Sequence, residues 1–374
     1  MKINLLPERE GSPVLYKRGP YYWICPGSGN LEKQDAAGNV VPVTGQEMLF
    51  LEDCLKGERL LLDGQNVTQA LFAAIEAAGA ESKSSLYAIN TTPLKRISLR
   101  NIFKWKSLCS NIFLQARRGT MTAIMGASGC GKSVFIRMLA GCNRPSKGAI
   151  YVNGNPLAEQ LHTVGYVPQG DVLLPELSGK ASLNYTLKLF APYLTGAERQ
   201  LVICHVAESL ELPEYVLEIQ IGRPEWQGKF PSGGQRRRIS LAHALVKWPE
   251  ILVLDEPTSG LSASDAENVV MLLRNLSQAR NMTVVTSIHT PNSLIFNQFN
   301  DLLLLGSRGR ICYYGPISSA TAEVCQTQDG TPDELMNAIA SEDQVDAIAA
   351  QYNFLQELQG RNRSTKQYFY EETA

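Results

Sequence analysis

The chain has little of what metal, disulfide or membrane architectures require. It carries four histidines in 374 residues, and His162, His205 and His243 have no partners at metal-ligand spacing. Cys25, Cys54, Cys109, Cys130, Cys142, Cys204, Cys312 and Cys325 include no CxxC pair. That spacing suggests neither a zinc site nor a disulfide framework and leaves reduced cytosolic thiols as the simpler reading. No run of about 18 apolar residues occurs, so this sequence is not expected to span a membrane. The opening MKINLLPEREGSP lacks the apolar stretch of a signal peptide. Lysine and arginine total 35 against 36 aspartates and glutamates; without a basic excess, no nucleic-acid partner is expected.

What is present is the run Gly126, Ala127, Ser128, Gly129, Cys130, Gly131, Lys132, Ser133, a GxxxxGK[ST] pattern. It follows the apolar TMTAIM and precedes the helix-like VFIRMLAG. By average residue usage such a match arises by chance in a chain this long on the order of once in a hundred. A strand delivering a Gly-rich turn into a helix N-terminus gathers backbone N–H groups and the positive end of the helix dipole around one point, which suits polyphosphate. Lys132 reaches the β/γ-phosphates in such a P-loop and the Ser133 hydroxyl ligates the accompanying Mg²⁺. Cys130, beside bound phosphates and a helix start that favours its thiolate, is expected to be protected from alkylation by nucleotide; a tolerated small residue is the plainer reading.

Residues 1–92 read as a small accessory domain of unknown role. Short β-leaning pieces (PVLYK, YYWIC, NVVPV, MLFLE, RLLLDG) precede a helix over NVTQALFAAIEAAG. Tyr21, Tyr22 and Trp23 are assigned to packing, because large aromatics mostly supply buried area. From about Arg96 strands alternate with helices, which predicts an α/β core over 93–318, interrupted by helical patterning over about 173–244. A helix-prone extension occupies 319–374. The fold expected is thus a P-loop NTPase, RecA-like, with a parallel-rich sheet, an inserted helical subdomain and a small N-terminal domain.

ILVLDE, Ile251 to Glu256, reads as a strand buried on both faces that ends in two carboxylates. Ligands bind at the carboxyl ends of such strands. Asp255 is therefore placed to hold Mg²⁺ through water, and Glu256 to orient or deprotonate the water attacking the γ-phosphate. Ser232, Gly233, Gly234 and Gln235 open a second Gly-rich helix start, another anion site by the same physics.

With these motifs together the sequence resembles the ABC ATPase family over roughly Ile97 to Gly315. The resemblance implies that Ser232–Gln235 of one protomer close over ATP held by the P-loop of another. It implies further that Gln169 in YVPQG touches Mg²⁺ and senses a membrane partner, and that His289 in TSIHTP contacts the γ-phosphate. DEPTSGL, Asp255 to Leu261, matches the family's run into the D-loop. IHTPNSLIFNQFNDLLLLGSRGRICYYGP, with paired Phe296 and Phe299 and a closing Y-x-G, resembles the White-type (G) subfamily of ABC transporters, as do GYVPQGDVLLPEL and TPDEL. Trp105 is the candidate for stacking on adenine, with Phe103 second, and both suit strand packing as well. The triple arginine Arg236–Arg238 is ordinary for the family at this place.

Two residues depart from the family pattern. Pro231 stands for the usual Leu before the signature serine, a place where proline is tolerated. Ser262 stands for the D-loop Asp; as a helix N-cap it substitutes well, but the charge that normally crosses the dimer interface is missing. The resemblance implies an ATP- and Mg²⁺-dependent ATPase on the cytoplasmic face of a membrane. Its expected partners are a permease subunit or domain and a second nucleotide-binding domain, in a homo- or heterodimer. A weakly hydrolysing regulatory or structural subunit is the alternative. Soluble translation or repair ABC proteins are disfavoured, since neither a second P-loop nor sustained heptads occurs.

Overall fold

The structure, a computed structural model, describes residues 1–6, 11–55, 57–77, 86–92, 112–145, 147–223, 226–289, 292–327 and 330–358. Trp105, Phe103 and Cys109 lie outside them. The chain divides into two compact units: Met1–Lys83 with Asn184–His205 and Val246–Trp248, and Ser84–Leu183 with Val206–Leu245 and Pro249–Ala374.

In the larger unit the organising feature is a six-stranded sheet. Its spatial order is Val164–Val167, Ile251–Asp255, Thr283–Ser287, Met121–Gly126, Asp301–Leu305, Ile311–Pro316. The first five strands are parallel and the last returns antiparallel to its neighbour. Strands Met121–Gly126, Ile251–Asp255, Thr283–Ser287 and Asp301–Leu305 are buried at every position, as expected where both faces of a parallel sheet are covered. Thr283–Ser287 separates the P-loop strand from the strand that ends in Asp255, so their carboxyl ends lie along one edge of the sheet, the side where ligands bind in such sheets. Helix Lys132–Leu139 turns Phe135, Ile136, Met138 and Leu139 into the core formed by Ile124, Val253, Val285 and Leu303. Each such side chain contributes about 1.5–3 kcal/mol of burial. A second, antiparallel sheet joins Ile112–Ala116, Leu86–Thr92, Lys147–Val152 and Asn155–Pro156.

The insert is helical over Gly179–Phe190, Gly196–Ser209 and Glu214–Glu218, where the periodic pieces predict helix. Residues 173–178 and 219–232 form no helix where described, although they fall within the predicted helical stretch; Pro175 and Pro231 disfavour it.

The smaller unit holds two four-stranded antiparallel sheets: Lys2–Asn4, Val14–Arg18, Tyr21–Cys25, Glu47–Leu49, and Val40–Pro42, Leu31–Gln34, Arg59–Leu62, Gln65–Asn66. With helix Thr68–Ala77 they enclose a core of Leu15, Ile24, Leu31, Leu60, Leu71 and Ile75. Tyr21, Tyr22 and Trp23 are buried. The Trp23 indole donates to Glu198 Oε1 at 2.7 Å, and Phe50 stacks on His205 with ring centroids 4.0 Å apart. Thr195 and Glu198 cap the second insert helix reciprocally.

Among the described residues no helix is long and apolar enough to cross a membrane, no group of three or more His, Cys, Asp or Glu side chains is placed to hold a metal ion, and the seven cysteines form no disulfide.

Candidate nucleotide site

The turn that leaves strand Met121–Gly126 needs glycine for a steric reason. Gly126 has φ 155°, and a Cβ there would lie 2.3 Å from the carbonyl oxygen of Leu305 and 2.9 Å from Cys130 Sγ. Gly131, φ 112°, is the N-cap of helix Lys132–Leu139, a left-handed conformation that glycine adopts without Cβ strain. Lys132 is buried, and its ammonium donates to the carbonyls of Gly126 at 2.7 Å and Ala127 at 3.2 Å. Ala127 is half-buried, and Ser128 and Gly129 at the loop tip are exposed.

Cys130 differs from expectation. Its thiol is 3% exposed within the core cluster, and burial pushes it above the ordinary thiol range, with nearby Lys132 acting the other way. Desolvation by the core thus opposes the thiolate that the helix start and the lysine favour.

Asp255 is fully buried at its strand end. Its Oδ1 accepts from Ser133 Oγ at 3.1 Å and Ser287 Oγ at 2.8 Å, while Oδ2, also buried, has no hydrogen-bond partner among the described residues. An orphaned buried carboxylate oxygen is costly and suits a hard cation, which takes oxygen ligands. Ser287, aligned with Asp255 across the parallel ladder, also accepts from the amide of Glu256 at 2.9 Å. No motif in the sequence singles Ser287 out; its one signal is a hydroxyl at the carboxyl end of the strand beside Asp255.

Glu256 sits at φ 44°, a left-handed conformation that costs a non-glycine residue about 1–3 kcal/mol. Its half-buried carboxylate accepts from Gln169 Nε2 at 2.7 Å. The structure therefore brings together Lys132, Ser133, Gln169, Asp255, Glu256 and Ser287. His289 is exposed just beyond the end of strand Thr283–Ser287, at the same edge of the sheet.

The signature contacts are local. Ser232 Oγ accepts from the amide of Gln235 at 3.2 Å and Gln235 Oε1 from the amide of Ser232 at 2.9 Å, a capping box at the start of helix Gly233–Leu245. Ser232 and Gly233 are exposed. Gly234 lies so close to Asp265 that a Cβ would meet its Oδ1 at 2.8 Å. Ser262 caps helix Ala263–Ala279, accepting from the amide of Asp265.

The three arginines that follow do more than the sequence suggests. Spaced about 100° apart around the helix, they reach different loops: Arg236 donates to the carbonyls of Ile221 and Gly222, and Arg238 to those of Leu210 and Glu211. Arg237 is 4% exposed and donates to main-chain carbonyls of two loops. Burial pulls its guanidinium below the ordinary range, with Asp171 opposing.

Residues 109–259 match the ABC transporter family model. The chain is 36% identical over 219 residues to ABC transporter G family member 22 of Arabidopsis thaliana, an alignment covering 58% of this chain and 28% of that protein. It is 34% identical over 314 residues to the ABC-type transporter claG of Penicillium crustosum, covering 82% and 39%. The chain thus spans well under half the length of these relatives. Among solved structures it is similar to the ATP-binding subunit of an ABC transporter, with TM-score 0.56 and 20% identity over 68% of this chain and 99% of that one. It is also similar to a dimeric ATP-binding cassette in a post-hydrolysis state with ADP and Pi, with TM-score 0.53 and 22% identity over 62% and 98%. These structural likenesses show the fold.

Proposed function

Since this chain carries the ATP-binding domain of an ABC transporter of the White-type (G) subfamily, an ATPase cassette, we propose that it hydrolyses ATP within a head-to-tail nucleotide-sandwich dimer to drive a membrane permease. The observation that carries this reading is the convergence of Ser133, Asp255, Ser287, Glu256 and Gln169 at the carboxyl edge of one parallel sheet.

The P-loop amides and Lys132 bind and orient the β/γ-phosphates, exchanging the lysine's bonds to Gly126 and Ala127 for phosphate oxygens. Glu256 is the base: its carboxylate, aimed by the left-handed backbone and by the Gln169 amide, takes the proton of the attacking water. Ser287 holds Asp255 and the Glu256 amide in one geometry, and His289 faces the γ-phosphate. Ser133, Asp255 and Gln169 would hold Mg²⁺, which neutralises charge on the transferring phosphoryl group when bound. Ser232, Gly233, Gly234 and Gln235, at a helix start where Ser232 and Gly233 are exposed, close over the nucleotide of a second protomer. The partner permease holds the chain at the cytoplasmic face of the membrane.

Ser262 favours a second reading, a weakly hydrolysing regulatory subunit, because it caps its helix without supplying the acidic charge of the family's D-loop. Turnover by the purified chain and by Glu256→Gln separates the two. An active wild type with an inactive, ATP-retaining variant is expected. A wild type no faster than Glu256→Gln supports the regulatory reading.

A further inference from the structure

Arg237 is the one member of the arginine run whose guanidinium bridges the two segments that carry Gln169 and Glu256. Its Nη1 donates to the carbonyl of Pro168 at 2.8 Å and approaches that of Gln169 at 3.5 Å. Its Nε donates to the carbonyl of Pro257 at 2.9 Å, and Nη2 to those of Asp255 at 3.3 Å and Glu256 at 3.4 Å. The carboxylate oxygen paired with its Nη1, Asp171 Oδ1, is 3.7 Å away; it also accepts from Ser240, while Arg236 lies 3.7 Å from Oδ2. The buried charge is therefore met mainly by main-chain dipoles. A planar fork with five donors fits such a set of carbonyls, whereas an ammonium acts as a point.

The two clamped segments leave neighbouring parallel strands, Val164–Val167 and Ile251–Asp255, in register at Val167 and Leu254. Beyond the last ladder pair, the Arg237 fork continues the connection between them. It does so where Glu256 departs into the left-handed region and where Gln169 and Glu256 meet at 2.7 Å.

We infer that Arg237 is a positioning residue for hydrolysis: by bridging the carbonyls of 168–169 and 255–257, it holds the Glu256 carboxylate at its distance from Gln169 and from the attacking water. This rests on Glu256 being the base. The P-loop amides and Lys132 follow another strand, so Arg237 bears on kcat more than on ATP binding. The role is distinct from filling the core, since a structural role would lower stability without a selective kinetic effect.

The test uses the full chain with Arg237→Lys and Arg237→Gln, each alone and with Glu256→Gln, measuring ATP binding by calorimetry and hydrolysis under steady-state conditions. The expected result is a kcat loss of about tenfold or more for Arg237→Lys, because a misplacement of about an ångström costs up to a hundredfold, with KM and the binding constant for ATP within about twofold. Arg237→Gln loses at least as much. In the Glu256→Gln background neither substitution changes the residual rate by more than about twofold, as expected of residues acting through one group. The inference is overturned if both single variants keep kcat within about twofold, if the loss is all in KM, or if the effects of Arg237 and Glu256 multiply. It is overturned equally if Arg237→Lys no longer binds ATP, since the fork would then belong to the fold alone. Full-rate turnover by Glu256→Gln removes the base assignment itself, an outcome distinct from a failure confined to Arg237.

Discussion

Two left-handed residues, one in each unit, show how the same backbone cost is met differently. Trp248, φ 54°, belongs to the unit containing the N-terminal sheets. Its half-buried ring packs within 5.8 Å of Tyr21, 5.4 Å of Phe50 and 5.7 Å of His205 by centroids, so aromatic packing offsets the strain. Glu256, φ 44°, belongs to the unit with the P-loop and keeps a carboxylate half in solvent. Its conformation is held by hydrogen bonds from its own amide to Ser287 and from Arg237 to its carbonyl. In the first unit strain is absorbed by packing; in the second it aims a reactive group, which is where local rules are expected to yield to function.

The sharpest way to break this comparison is Glu256→Gln. Removal of a general base predicts a fall in kcat of about a hundredfold or more, with ATP binding retained; a steady-state assay beside calorimetry checks both, and undiminished turnover would place the strained glutamate on a par with Trp248. Cys130 tests the surroundings of the loop. With its thiol pushed up by burial, less of it is thiolate at neutral pH, so it should alkylate about tenfold or more slowly than exposed Cys142 and Cys204, with the rate rising as the pH is raised. Mass spectrometry of partially labelled chain reads this out, and labelling of Cys130 as fast as Cys142 would contradict the buried P-loop thiol.

Ser287→Ala should lower kcat about tenfold and stability by about 1–3 kcal/mol, since the Glu256 amide and a buried Asp255 oxygen lose a partner. Denaturant unfolding and turnover measured together distinguish this from a purely structural change. The smallest effect is expected in the other unit. Trp23→Phe removes the indole bond to Glu198 and should cost about 1 kcal/mol while leaving turnover within about twofold. A large kinetic effect there would mean that the aromatic cluster serves the nucleotide site as well as the packing of its own unit.

Much of the fold was legible because its signals are local. TMTAIM, ILVLDE and MTVVTS are apolar or β-branched runs of strand length, and each is a strand of the buried sheet. The hairpin-like DLLLLGSRGRICYYG is an antiparallel pair. The P-loop and the terminal carboxylates were legible because glycine, lysine and acid spacing within one turn carries their chemistry. Ser287 and Arg237 were not, because their partners lie on other strands and loops. A serine ending one strand gains meaning only when Asp255 sits beside it, and three consecutive arginines look alike until their helix directs each to a different carbonyl. For the Cys130 thiol the same holds: proximity to a helix start is visible in sequence, the desolvation that raises it is not.

By itself the sequence determined the resemblance to ABC ATPases, the strand–turn–helix of the P-loop and the order of the acidic, signature and histidine motifs, since each depends on residues a few positions apart. Tertiary structure alone decided that Thr283–Ser287 lies between the P-loop and Asp255 strands, that the buried Asp255 Oδ2 finds no hydrogen-bond partner among the described residues, and that Arg237 ties Gln169's loop to Glu256's. Those outcomes depend on strand order and burial, which bring together groups separated by tens of residues and set which of them keep water.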